Sequence, residues 1–260
     1  MRAVTPVLDE AAIERYSRQL LLRELGEAGQ LRLTQAQVAV VGCGGLGVPA
    51  ALYLGAAGVG RLMLVDSDRV ALDNLNRQVA YRTDEVGLPK TNVLAQRILE
   101  LNPTLEVSAR QESLDSLSLR PLLSGADVVL ECSDDPFTKF LVNDFCVGEG
   151  IGLVIGGAVG LAGQVVTVAP GGPCYRCLFA APTASPAQTC REAGVLGPLV
   201  GMIGSLQALE AIKLISGIGR ETGGRLLDFD AITARWREVR FPLDPSCSAH
   251  QEGSGRPRHN

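Results

Sequence analysis

The most chemically suggestive stretch of the sequence is a glycine-rich loop, VVGCGGLG, in which Gly42, Gly44 and Gly47 satisfy a GxGxxG pattern. It follows an apolar strand and precedes a helix, so backbone N–H groups and a helix N-terminus face an anion. Gly45 belongs to the same predicted anion-binding loop. Asp66 ends the next predicted strand, where an acidic side chain binds ribose hydroxyls. Both features fit a dinucleotide or ATP, and on these alone NAD, the commoner ligand, is preferred.

Two cations, Arg77 and Lys90, follow the loop and favour a polyanion. Lys90 falls in the first turn of a helix predicted over residues 89–101, where a cation opposes the helix dipole at a cost of about 0.3–1 kcal/mol. An anionic ligand would reverse that sign. Each cation alone also fits an exposed surface side chain, but together beside a phosphate loop they indicate a triphosphate.

An acidic pair, Asp134 and Asp135, follows the strand predicted over residues 127–132. Asp135 is interpreted as the cap of a helix that begins at Pro136. Asp134 also fits a capping role, yet it lies at the carboxyl end of a parallel strand, where open α/β sheets bind ligands. A carboxylate facing a triphosphate there would hold magnesium.

The sequence contains only two histidines, His250 and His259, both near its C-terminus. An imidazole base within the predicted sheet region is therefore excluded. Attack of an already ionised carboxylate on the α-phosphate of ATP needs no base, because the site only positions the groups and neutralises the phosphates. The product would be an acyl adenylate, with pyrophosphate released.

Four residues form two pairs with metal-ligand spacing: Cys174 and Cys177 make CxxC, and Cys247 and His250 make CxxH. Two such pairs predict a closed four-ligand zinc site. A CxxC pair alone also fits a redox pair or chance. Seven cysteines in a chain of 260 residues favour reduced thiols over a disulfide framework.

The elements that must position these residues alternate between strand and helix. Strands are predicted at 38–41, 62–66, 105–109, 127–132 and 153–155. Helices are predicted at 9–25, 46–57, 89–101, 117–123 and 136–147. This alternation predicts a Rossmann-like, mainly parallel α/β sheet with helices on both faces. After Gly156 the pattern changes to strands that look antiparallel and continue the C-terminal portion.

Composition and charge exclude several classes of protein. The net charge of -4 disfavours nucleic acid and anionic lipid as partners. Acidic residues near the N-terminus argue against a signal peptide. We therefore expect a cytoplasmic protein. Two uncharged segments, 150–175 and 193–209, are interpreted as buried strands and a buried helix rather than membrane spans, because glycines break the first and the second is short.

Several motifs together resemble the ThiF/MoeB/HesA family, relatives of the ubiquitin-activating enzymes. They are RYSRQLLL, GCGGLG, DNLNRQ, GLPKTN, CSDD, CYRC and TCREAGVLGPLVGMIGSLQALEAIKLISG. They occur in order from about residue 15 to about residue 250. The resemblance implies an ATP-dependent adenylyltransferase that activates the C-terminal Gly-Gly of a small ubiquitin-fold sulfur carrier. It also implies one adenylation domain over residues 1–250, and residues 251–260 are expected to be a disordered tail.

The resemblance also implies roles for individual residues. Asp66 would bind ribose, Asp134 would serve magnesium, and the phosphates would be contacted by Asn74, Arg77 and Lys90. Arg18 would reach the phosphates from the other subunit of a homodimer; by periodicity alone it is a solvated residue opposite the apolar stripe of the first helix.

Two cysteine-containing features of the family leave open questions here. Cys190 matches a cysteine that takes part in sulfur or acyl transfer in relatives, although an idle cysteine on a mobile loop fits as well. The family's distal metal pair is usually a second CxxC. His250 therefore either completes a three-sulfur, one-nitrogen zinc site or marks a site that has lost its metal.

Alternative functions remain a nicotinamide-dependent oxidoreductase, the family's tRNA-modifying branch and a non-catalytic scaffold that binds a carrier. The intact loop with Asp66, Arg77, Lys90 and Asp134 argues against the scaffold. RYSRQLLL and GVPAALYLGAAGVG favour the thiamine-pathway members over those of molybdopterin synthesis. The chain length leaves no room for a fused sulfurtransferase domain, so the sulfur donor is expected to be a separate protein.

Overall fold

A computed structural model of the chain describes residues 7–179, 193–219 and 223–252. Its strands form one eight-stranded sheet with the order β3-β2-β1-β4-β5-β6-β7-β8. The strands are β1 Gln37–Val41, β2 Arg61–Val65, β3 Glu106–Arg110, β4 Val128–Glu131, β5 Gly152–Val159, β6 Ala162–Val168, β7 Arg225–Asp230 and β8 Arg235–Arg240. The first five strands run parallel. β5 to β8 are joined antiparallel.

Helices cover both faces of this sheet, as the alternation of elements predicts. Those in the described residues are α1 Glu10–Arg15, α2 Ser17–Leu20, α3 Gly26–Gln35, α4 Gly47–Ala57, α5 Lys90–Leu101, α6 Leu119–Leu123, α7 Pro136–Glu149, α8 Tyr175–Leu178, α9 Gly197–Ser216 and α10 Ser248–Glu252. Alternate residues of β1 enter the two cores: Val38 and Val40 face one, and Ala39 and Val41 face the other. The two cores confirm the predicted α/β class.

The strand order places a crevice where the site was expected. β1 has β2 on one side and β4 on the other, so the crossovers that follow them leave in opposite directions. Loops after these strands therefore separate at the carboxyl edge of the sheet, which is where open α/β sheets bind ligands. The antiparallel strands extend the same sheet beyond β5 rather than forming a separate layer.

The apolar helix α9 is long and apolar enough to cross a membrane by length and composition. Half of the window that passes this test is buried within the protein. The helix packs against α4, β5 and β6, and it carries the buried polar residues Gln207 and Glu210. These contacts describe a core helix and agree with the interpretation of residues 193–209 as buried rather than membrane-spanning.

The N-terminal helical region differs from the single helix predicted over residues 9–25. Asp9 caps α1, accepting a hydrogen bond from the backbone N–H of Ala12 at 2.7 Å. The helix is interrupted at Tyr16, whose buried ring packs on Gly58 and whose hydroxyl accepts a hydrogen bond from the Asn102 side chain at 2.9 Å. Tertiary contacts at Tyr16 therefore override the helical pattern.

Two further boundaries correct the predictions. Helix α3 was not predicted: it begins at Gly26, directly after the predicted end of the helix over residues 9–25, and buried Gln30 and Leu33 hold α3 against the core. A sequence with two glycines and little apolar periodicity gives no strong local signal for such a helix. Residues 251 and 252, predicted to be disordered, belong to α10, and 253–260 lie outside the described residues.

Candidate nucleotide and metal sites

The glycine loop between β1 and α4 is shaped by close backbone approach. Gly42 has φ +90°, and a Cβ added there would lie 2.9 Å from the backbone nitrogen of Ser133. A Cβ at Gly47 would lie 1.8 Å from the carbonyl oxygen of Gly42. Tyr81 holds the loop in place, because its buried hydroxyl donates a hydrogen bond to the carbonyl of Cys43 at 2.7 Å. Side chains larger than glycine do not fit at positions 42 and 47 without movement of the backbone.

Asp66 follows β2 and faces this loop. Its carboxylate accepts hydrogen bonds from the backbone N–H of Cys43 at 2.6 Å and of Asp68 at 2.8 Å. Burial raises the pKa of Asp66, while nearby Lys90 and the two backbone donors oppose that rise. The carboxylate thus fixes the glycine loop as well as lining the cavity, and its contact with ribose stays a prediction.

Lys90 begins α5 and is almost fully buried. Its ammonium donates to the carboxylate of Asp68 at 2.8 Å, and its backbone N–H donates to the Asp68 carbonyl at 3.1 Å. Asp68 therefore supplies an anion at this helix N-terminus, a partner that the sequence argument for Lys90 did not include. The sequence signal that could have indicated this partner is the acidic residue Asp68 itself, two positions after Asp66.

Asn74 and Arg77 lie on the segment between β2 and α5. Asn74 is buried and donates to Asp73 Oδ1 at 3.1 Å. The Arg77 guanidinium donates to the Asp73 carbonyl at 2.7 Å and to Asn76 Oδ1 at 3.0 Å. These neutral acceptors orient the guanidinium without neutralising its charge, so it stays available for an anion.

The two carboxylates after β4 have different environments. Asp135 caps α7, accepting hydrogen bonds from the backbone N–H of Thr138 at 2.9 Å and of Phe137 at 3.3 Å. Burial by itself would raise the pKa of Asp135, but hydrogen bonds from Thr138 and Phe137 and the positive charge of Lys139 together hold that pKa below its usual value. Asp134 is exposed, and its side chain has no hydrogen-bond partner within the described residues. Asp134 can therefore accept a cation, as a magnesium ligand requires.

Beneath Asp134 lies a buried ion pair that the sequence analysis missed. The carboxylate of Glu131, at the end of β4, is fully buried and contacts the ammonium of Lys139 on α7. Burial raises the pKa of Glu131, and Lys139 opposes the rise. Glu131 and Lys139 are eight residues apart, one on a strand and the other on a helix. No local sequence pattern indicates that two such residues pair.

A cavity of about 760 Å³ joins these groups, a volume within the range of small-ligand sites. Its lining contains most of the predicted nucleotide residues: Gly42, Gly44, Gly45, Asp66, Asn74, Arg77, Lys90 and Asp134. Gly47 is outside the lining and serves the turn. Arg18 lies exposed on α2, also outside the lining. Cys190 lies outside the described residues.

A second cluster joins both predicted metal-binding pairs. The ligand atoms of Cys174, Cys177, Cys247 and His250 all lie within 4.8 Å of one another. The Cys174 sulfur is 3.8 Å from that of Cys177 and 3.6 Å from that of Cys247. Tetrahedral Zn–S bonds of about 2.3 Å would place sulfurs about 3.8 Å apart. The four residues therefore have the spacing of a metal site.

The imidazole of His250 provides independent support for a metal. Its Nε2 atom is buried and has no hydrogen-bond partner, which is rare for a polar atom unless an unseen group binds it. Burial raises the pKa of the Cys174 thiol to about 12. A bound cation would reverse that preference, because metal ligation deprotonates thiols.

Comparison with known proteins gives consistent results. The sequence matches the model of the ThiF family over residues 16–249. It is 43% identical over 251 residues to the SAMP-activating enzyme E1 of Haloferax volcanii, covering 96% of this chain and 93% of that protein. It is 44% identical over 235 residues to the sulfur carrier protein ThiS adenylyltransferase of Escherichia coli, covering 90% and 93%. The crystal structure of Escherichia coli MccB shares the fold, with a TM-score of 0.80, 23% identity, and coverage of 93% of this chain and 73% of that one.

Proposed function

The chain belongs to the ThiF family, and from this premise we propose that it adenylates the C-terminal carboxylate of a small sulfur-carrier protein with ATP. The observation that carries the proposal is the single cavity at the carboxyl edge of the sheet. It brings together a glycine loop, the cations Arg77 and Lys90, and the carboxylate of Asp134, which has no partner in the described residues. A relative of similar length, whose name states that it adenylates the sulfur carrier protein ThiS, supports the choice of substrate.

The proposed reaction needs no general base from the protein. A carboxylate oxygen of the carrier attacks the α-phosphorus of ATP, and the bond from that phosphorus to the oxygen bridging to the β-phosphate breaks. The electron pair leaves with pyrophosphate, and the acyl adenylate remains. Among the described residues no histidine lines the cavity, and His250 lies in the metal cluster. This composition suits a reaction whose nucleophile is already ionised.

The cations of the cavity would stabilise the charge that moves onto pyrophosphate. The Arg77 guanidinium is free of carboxylate partners among the contacts described above, and the Lys90 ammonium is held by Asp68 beside the loop. Magnesium, when held by Asp134, would neutralise part of the phosphate charge. Asp66 would bind the ribose, with its orientation fixed by the N–H groups of Cys43 and Asp68.

Arg18 is proposed to act in the site of a second copy of the chain. The helix that carries it is anchored through Gln19, whose side-chain amide donates to Gln30 at 2.8 Å and to the carbonyl of Ala57 at 3.1 Å. Arg18, the residue before Gln19, is exposed. Exposed apolar side chains at Leu21 and Leu22 lie next to it. A homodimer that covers them would also bring Arg18 to a second cavity.

The Cys174, Cys177, Cys247 and His250 cluster is proposed to hold structural zinc. Three thiolates and one imidazole are typical zinc ligands, and four protein ligands leave no open position for chemistry. Bound zinc would join α8 to α10, two short elements that are distant in sequence. A role for Cys190 in sulfur or acyl transfer remains part of the proposal.

The function is tested by carrier-dependent exchange of labelled pyrophosphate into ATP with purified carriers that end in Gly-Gly. We expect exchange with at least one carrier and none without it. Thiamine-pathway and molybdopterin-pathway carriers are compared in parallel to identify the substrate. Binding of NAD with no binding of ATP would instead support an oxidoreductase.

A further inference from the structure

The ammonium of Lys139 has all of its hydrogen-bonding capacity used inside the protein. It contacts the carboxylate of Glu131 and donates to the carbonyl oxygens of Ser133 at 2.7 Å and Gly156 at 2.8 Å. Three acceptors match the three donors of an ammonium group. Lys139 therefore joins three pieces of backbone, since its partners lie on β4, on the loop after β4 and on β5.

Glu131 holds the same loop through its other carboxylate oxygen. That oxygen accepts a hydrogen bond from the backbone N–H of Ser133 at 3.0 Å, and it also contacts the Ser133 hydroxyl. Ser133 is thus bound on its amide and hydroxyl by Glu131 and on its carbonyl by Lys139. The next residue is Asp134, whose carboxylate lines the cavity and has no partner in the described residues.

The position of Ser133 also affects the glycine loop. A Cβ on Gly42 would lie 2.9 Å from the Ser133 nitrogen, so the two loops are in direct backbone contact. Displacement of Ser133 would therefore move both the Asp134 carboxylate and one wall of the phosphate loop. The ion pair thus controls the spacing between the groups proposed to bind magnesium and those proposed to bind phosphate.

Stability alone is a weak reason for this ion pair to be buried. Desolvation of both charges offsets much of their attraction, and apolar replacements of buried pairs are often neutral or stabilising. The ion pair instead fixes the loop conformation. Two apolar side chains could not do this, because they could not form hydrogen bonds with the N–H and the carbonyl of Ser133.

We infer that Glu131 and Lys139 are positioning residues that hold Ser133 so that the carboxylate of Asp134 is presented to magnesium bound with ATP. This inference rests on the proposed function, which assigns magnesium to Asp134. Neither residue of the pair needs to touch the nucleotide. They orient the Asp134 carboxylate, just as residues that hydrogen-bond to metal ligands orient those ligands toward the metal.

The test measures magnesium affinity rather than turnover. Binding of a non-hydrolysable ATP analogue is followed by calorimetry in EDTA and across a magnesium titration. Lys139→Met should raise the magnesium concentration at half-saturation about tenfold, while binding in EDTA changes little. Lys139→Arg, which keeps the positive charge, should give a smaller shift than Lys139→Met.

A matched control separates this effect from a general loss of stability. Lys213→Met also removes a lysine from a buried carboxylate, Glu210, which lies 2.7 Å from the Lys213 ammonium and outside the cavity lining. It should leave the magnesium titration unchanged. If Lys139→Met does not fold, the neutral double variant Glu131→Gln with Lys139→Met is used, and the same shift is expected.

Asp134→Asn serves as the reference variant. A shift in Asp134→Asn without any shift in Lys139→Met or the double variant would overturn the positioning role while leaving the proposed function intact. No shift in Asp134→Asn would instead remove the magnesium assignment of the proposed function, and the inference would fall with it.

Discussion

At the scale of single residues, Arg77 and Asp134 carry the electrostatic part of the proposed chemistry. Arg77→Ala or Asp134→Ala should lower carrier-dependent pyrophosphate exchange by about 100-fold or more, because the first removes a cation that stabilises the departing phosphates and the second removes the proposed ligand of the magnesium that does so. Circular dichroism and thermal unfolding provide the control that both variants are folded. Exchange at the unaltered rate in either variant would refute the role assigned to that residue.

Asp135 differs from its neighbour because its carboxylate caps a helix. Asp135→Ala should lower the free energy of unfolding by about 1 kcal/mol at pH 7. The capped carboxylate has a lowered pKa in the folded chain, so its stabilisation is present above the unfolded pKa of about 3.9 and is lost as pH falls through the folded pKa. Urea unfolding should therefore show a smaller difference in the free energy of unfolding between the unaltered protein and Asp135→Ala at pH 3 than at pH 7. An equal or larger difference at pH 3 would contradict the capping role.

At the scale of elements, the metal cluster connects α8 with α10. The unaltered protein should contain about one zinc per chain by elemental analysis, and strong chelation should lower the melting temperature by about 5–10 °C. This follows because a metal bound only by the folded chain stabilises that chain.

Variants at His250 test which atoms bind the metal. His250→Ala should weaken zinc binding, whereas His250→Cys should retain it with four sulfur ligands. Cobalt substitution makes the ligand change visible as a shift in the absorption spectrum. Unchanged metal content and cobalt spectrum in His250→Ala would exclude the imidazole as a ligand.

At the scale of the whole molecule, Arg18 and Arg77 are proposed to meet from different chains. Mixing Arg18→Ala chains with Arg77→Ala chains should restore about a quarter of the exchange activity, because half of the dimers would be mixed and each would have one intact site. Each variant alone should be inactive or nearly so. The measurement needs chains that are denatured and refolded together, or co-expressed with two tags. No recovery in verified mixed dimers would show that the two arginines do not share a site in this way.

The chain order of the elements and the residues at their ends could be predicted from the sequence. The strand-loop-helix pattern around Gly42, the acidic residue directly after β2, and the aspartates after β4 are local features. Parallel pairing then brings all of these to one edge of the sheet. The same reasoning could not place Tyr16 or predict α3, because contacts with residues distant in sequence outweigh weak helical preferences there.

By itself, the sequence determined which local segments form strands and glycine turns and which residue types could bind phosphate or metal, since these depend on neighbouring residues. Only the tertiary structure decided the partners. It paired Lys90 with Asp68 and Glu131 with Lys139, and it brought Cys174 to Cys247 across 73 residues of chain. The physical reason is that the partner of a charged or metal-binding side chain depends on which distant segments of the chain pack together. Local periodicity in the sequence does not specify that packing.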